Sequence, residues 1–159
     1  MKNMREIFDG YNEIFSKWSN QKLKINDLEK EILYLEADLK VERRANTAIM
    51  DDEIEKARLG LKDAEALVIR LEENESSEGI GQQLDQVGKE AQASKDFYDY
   101  VINTFEEQMK LWEVDYSGYS LRIDNLRERL IVERAILDFY SAELAEWKAK
   151  IHTALKKVS

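Results

Sequence analysis

MKLWEVDYSGYSLRIDNLRERLIVERAILDFYSAELAEWKAKIHTALKKV, residues 109–158, is the stretch that decides the fold. At alternating steps of three and four it presents Met109, Trp112, Tyr116, Tyr119, Ile123, Leu126, Leu130, Glu133, Leu137, Tyr140, Leu144, Trp147, Ile151, Ala154 and Val158. Glu133 is the single charged residue in the series. An apolar line repeating every 3.5 residues marks a long helix with a narrow packing seam.

Working outward, the N-terminal part carries a matching line: Met4, Ile7, Tyr11, Ile14, Trp18, Gln21, Ile25, Leu28, Ile32, Leu35 and Leu39. Here the one polar intruder is Gln21. Beyond Leu39 the same phase predicts Glu42, Asn46 and Ile49, so the stripe fades, and it resumes one position later as Met50, Ile54, Ala57, Leu61, Ala64, Val68 and Leu71. Such a slip unwinds a seam locally without ending the helix. The run EENESSEGIGQQ at 72–83 is the clearest break, rich in Gly, Ser, Asn and Glu. Helix resumes near Gln83 with Leu84, Val87, Ala91, Ser94 and Tyr98, and a second slip near 98–109 leads through Ile102 and Phe105 into the opening stretch.

These elements predict one all-α domain over 1–159: a long antiparallel coiled-coil helical hairpin with arm one about 2–73, an acidic Gly/Ser tip at about 74–82 and arm two about 83–157. Folding at about residue 78 sets arms of roughly 70 residues, about 100 Å at 1.5 Å per residue, against each other. It also brings Gln21 and Glu133 into one layer, a candidate polar register layer, and sets the two slips side by side. A parallel dimer would instead oppose Glu133 to its own copy, an unfavourable like-charge pair. The alternative is a compact four-helix bundle refolded at the slips near 40–50 and 98–109, although bundle helices carry broader apolar stripes.

Composition suits long helices. The 159 residues contain no proline, where average usage of about five per cent predicts roughly eight. Charged residues make up 36%, enough for wide wet faces, while three Trp, seven Tyr and five Phe argue against a disordered acidic tail. The absence of cysteine excludes a disulfide scaffold, a thiol nucleophile and a thiolate metal site. No signal-peptide core and no membrane span is legible, so a cytoplasmic location is expected, with leaderless secretion as the alternative left open.

Chemical motifs are scarce. His152, the one histidine, has Ala149 three residues before it, which excludes a ferritin-like pair of Glu-x-x-His ligand sets. Gly79-Ile80-Gly81 lacks the Gly-Lys-Ser/Thr of a phosphate loop. Asp51-Asp52-Glu53 lacks calcium-loop spacing, and the sequon Asn74-Glu75-Ser76 has no secretion signal to accompany it. No catalytic residue, cofactor or metal is expected.

Charge is uneven: residues 41–116 hold 9 basic and 19 acidic residues, net −10, against net −1 over 1–40 and net +2 over 117–159. Without a basic patch, direct nucleic-acid binding is disfavoured, and so is a lipid-facing surface. Apolar residues widen the helix faces at the end where the termini meet. Phe8, Phe15, Trp18, Val132, Ile136, Phe139, Tyr140 and Trp147 are the candidate partner or oligomer interface, with Leu121, Ala142 and Leu155 nearby. The expectation is a non-enzymatic structural or adaptor protein, a homo-oligomer or the partner of another protein. The alternative is an acidic inhibitor that imitates nucleic acid on a basic protein surface.

Overall fold

A computed structural model of the chain describes residues 3–74 and 79–158. The fold is an all-α helical hairpin: α1 spans Met4–Glu73 and α2 spans Ile80–Val158, with no strand among the described residues. Both helices run unbroken through the two slips, so the four-helix alternative is not adopted. No proline is present to interrupt them, and an interior glycine costs only about 1 kcal/mol relative to alanine. Neither helix is long and apolar enough to cross a membrane.

Local chemistry sets the helix ends. Asn3 caps α1, its Oδ1 accepting the Arg5 backbone N–H at 2.9 Å. At the other end Asn74 Nδ2 donates to the Arg70 carbonyl at 2.9 Å, and its backbone N–H to the Leu71 carbonyl at 3.1 Å, closing a tightened last turn. Gly79 has a φ of 86°, a left-handed conformation that glycine adopts without strain. α2 therefore starts at Ile80, ahead of Gln83. The expected turning point near residue 78 and the sequon at 74–76 fall wholly or partly outside the described residues.

The hairpin divides into two compact units, one combining the chain up to Asp38 with the chain from Gly118, the other comprising Leu39–Ser117. In the first unit Ile7, Ile25, Leu28, Ile32 and Leu35 of α1 and Ile123, Leu130 and Leu144 of α2 are buried. Half-buried Tyr11, Ile14, Trp18, Leu126, Leu137, Tyr140, Trp147 and Ile151 complete the line. Rising numbers on α1 meet falling numbers on α2, as at Gly10 with Trp147 and Gln21 with Glu133, so the segments are antiparallel.

Trp147 finds its place through Gly10. A Cβ at Gly10 would fall within 3.0 Å of three atoms of the six-membered indole ring. The glycine is the floor of a hole that a large knob fills.

In the second unit only Ala57, Val101 and Tyr116 are buried among the described residues. Small seam residues, Ala57, Ala64, Ala91 and Ser94, leave little apolar area to bury. The slip on α1 lies where expected, and the slip on α2 lies later along the chain than expected. On α1 the half-buried line continues through Glu42 and Asn46 to Met50, while Ile49 is 57% exposed. On α2 it runs through Val101, Phe105, Gln108, Trp112 and Tyr116, leaving Met109 44% exposed. The slip on α2 is thus two successive steps of four between Gln108 and Tyr116.

A polar contact explains the fading of the apolar stripe. Asn46 Nδ2 donates to the buried Tyr116 hydroxyl at 2.8 Å, and the Arg43 guanidinium lies 4.8 Å from the Tyr116 ring centroid. The oxygen of a buried phenol needs a hydrogen-bond partner, and an apolar residue at 46 could not donate to it.

Three glycine-to-alanine changes separate helix propensity from packing. Gly60→Ala and Gly118→Ala, with nothing within 4 Å of the added methyl, should stabilise the fold by about 0.5–1 kcal/mol. Gly10→Ala should destabilise it, since overpacking costs typically 1–3 kcal/mol, and should red-shift Trp emission as the indole is displaced. Urea unfolding measures all three; a gain at Gly10 equal to the others would contradict the knob-and-hole contact.

Candidate interaction site

The polar residues of the first unit's seam meet in one layer. Gln21 is 8% exposed and Glu133 7%. The two hydrogens of Gln21 Nε2 face two acceptors, the Glu133 carbonyl at 2.8 Å and Glu133 Oε2 at 2.6 Å. Only the amino end of the carboxamide can satisfy both, which fixes its orientation. Lys24 Nζ takes the other carboxylate oxygen, Oε1, at 3.0 Å. The Gln21 hydrogen bond and then the Lys24 ammonium hold the Glu133 carboxyl below the usual carboxylate range, against the opposing effect of desolvation. No buried side-chain nitrogen or oxygen among the described residues lacks a hydrogen-bond partner.

Ion pairs flank this layer on both sides. Arg134 Nη2 meets Glu29 Oε1 at 3.0 Å, and Arg127 pairs with Glu36 on the same row of each helix. Arg122 Nη2 meets Glu31 Oε1 at 3.1 Å on the opposite flank. These pairs are exposed, so each contributes at most about 1 kcal/mol; together they discriminate between axial alignments. Their signal in the sequence is spacing: residues 29 and 36, and 127 and 134, stand seven apart beside the seam with opposite charges.

The eight interface candidates separate by position. Phe8 and Phe15, 41% and 44% exposed, lie on the row that continues to Glu29 and Glu36, beside exposed Leu155. Tyr11, Phe15 and Trp18 form a ladder with ring centroids 6.1 and 5.8 Å apart. Trp18 is half-buried and its Nε1 donates to Ser141 Oγ at 3.0 Å. Trp147 is occupied against Gly10, and Lys150 Nζ lies 4.2 Å from its ring centroid. Val132 and Phe139, 58% and 60% exposed, belong instead with half-buried Ile136 on the row side of Arg129 and Arg122. Tyr140 is half-buried, its ring centroid 6.0 Å from that of Phe139. The structure therefore keeps Trp18, Tyr140 and Trp147 in the seam, where they pack between the helices, and leaves Phe8 and Phe15 on one flank of the first unit and Val132, Ile136 and Phe139 on the other.

Among the described residues no group of three or more His, Asp or Glu side chains could hold a metal ion, and His152 is exposed. No protein-family model, curated protein or solved structure matches the chain.

Because the folded-state pKa of Glu133 is lowered, its contribution to stability is fully present above the unfolded-chain value of about 4.3 and is lost as pH falls through the folded value. Glu133→Gln should therefore lose less melting temperature than the parent protein between about pH 5 and pH 3; equal losses would show that this carboxylate does not drive the acid response. Replacing both Gln21 and Glu133 by Leu should raise the melting temperature, since a matched apolar pair avoids desolvating a carboxylate. The same double variant should broaden the distance distribution between spin labels on cysteines introduced at Asn12 and Lys148, in a chain with none of its own. A large loss of stability would contradict the layer assignment.

Proposed function

We propose that this chain is a non-enzymatic structural or adaptor protein: a long antiparallel coiled coil, cytoplasmic, that acts through protein–protein interaction and self-association. What supports this most directly is exposed surface. The chain exposes 11,778 Å², whereas a compact monomer of this mass exposes about 8,300 Å². No described side chain is screened to below 2% exposure, while Phe8, Phe15, Val132 and Phe139 stand largely in water. The excess of roughly 3,500 Å² on one chain is more than the roughly 1,000–2,500 Å² that each partner buries in an obligate interface. Partners would cover it.

The acidic-inhibitor reading draws on a separate observation, the net −10 over residues 41–116. It requires attraction to a basic surface that weakens as salt screens charge.

The test is affinity recovery of the full tagged chain from its native source, with mass measurement of the recovered complexes at low and high salt. Stoichiometric complexes that persist in high salt and are lost in Phe8→Ser/Phe15→Ser or Phe139→Ser support the interaction reading. A chain recovered alone overturns it, and complexes that dissociate steeply with salt favour the inhibitor.

A further inference from the structure

Beside the seam of α2 runs a second line at the same spacing, shifted by one residue: Arg129, Val132, Ile136, Phe139, Glu143 and Glu146. One residue is about 100° of helix rotation, so this line lies on the flank of the hairpin and not between its helices. Arg129, Val132, Phe139 and Glu146 are exposed, and Ile136 and Glu143 half-buried. Its middle is apolar, its N-terminal end basic and its C-terminal end acidic. Such a line is complementary to itself when reversed.

We infer that this flank binds a second copy of the chain, α2 against α2 in antiparallel register about a two-fold axis level with Leu137 and Asp138. The axis sets Ile136 of each copy against Phe139 of the other. Arg129 then faces Glu146 of the second copy, with Glu143 one turn away, and the stem of Glu143 covers Val132 while its carboxylate reaches water. The contact is isologous, so each pairing occurs twice and the assembly closes as a dimer. A parallel arrangement would put Arg129 on Arg129 and Glu146 on Glu146. Charge also selects the unit: residues 1–40 and 117–159 are close to neutral, whereas residues 41–116 carry net −10 and would repel their copies. The four apolar rings and branches at the axis form the kind of desolvated centre that dominates binding energy.

This inference rests on the interaction-protein reading and names its partner. Sedimentation equilibrium of the purified full chain over a wide concentration range should give twice the 18.7 kDa of one chain. Phe139→Glu should reduce the mass to that of a monomer, with helicity by circular dichroism unchanged. Arg129→Glu should weaken the dimer by about tenfold, and Arg129→Glu/Glu146→Arg should restore it, which neither a parallel dimer nor a purely internal role for Arg129 permits. A monomeric parent protein, a dimer indifferent to Phe139→Glu, or a failed charge-swap rescue overturns the inference. If the monomeric parent still recovers stoichiometric partners from its native source, the broader interaction reading stands without this dimer.

Discussion

The hydrogen-bonded layer of Gln21, Lys24 and Glu133 is the constraint on which the rest of the first unit depends. Two helices in contact along one line have no other interior in which to place a carboxylate. Glu133 is 7% exposed and is satisfied only when the Gln21 carboxamide reaches both its carbonyl and its Oε2 while Lys24 holds Oε1. An apolar seam slides by a heptad at little cost, because one leucine packs much like another. A polar layer does not, since a displaced copy leaves a desolvated acid without donors. That same alignment brings Arg134 to Glu29 and Arg122 to Glu31, and seats Trp147 over Gly10.

The second unit solves the same problem with less apolar material. Its buried Tyr116 carries a hydroxyl into the seam, and Asn46 accommodates it where each helix has slipped its periodicity. Successive steps of four exceed the mean turn of a helix, so they turn the contact line in the direction opposite to a heptad seam. The slips are consistent with continuous helices because they displace side chains around the axis without breaking a backbone hydrogen bond. With only Ala57, Val101 and Tyr116 buried among its described residues, this unit carries few large hydrophobic knobs in its seam.

The first unit presents its chemistry on exposed surfaces. Side chains that a larger core would enclose remain in water, and they fall on two flanks of the first unit, which offer different chemistry. The flank with Phe8, Phe15 and Leu155 is aromatic and grades into ion pairs. The flank with Val132, Ile136 and Phe139 is apolar between opposite charges. Under the proposed interaction role, such asymmetry would allow one body to meet different partners, or its own copy, without competition for one patch.

The sequence by itself determined that the chain is helical, that it folds back as a hairpin, and that Gln21 and Glu133 interrupt otherwise apolar lines. Periodicity, the lack of proline and the glycine–serine break at 72–83 carry that information locally, through backbone geometry and the spacing of side chains around a helix. Only the tertiary structure decided which polar residues belong to the seam. Asn46 and Gln108 count as interruptions until the facing helix is known, and Met109 counts as core until Gln108 proves to be the residue turned inward. The role of Gly10 belongs to Trp147, more than a hundred residues away in the chain. Spacing along one helix reports which residues share a face; the partner across the contact determines what each of them must satisfy.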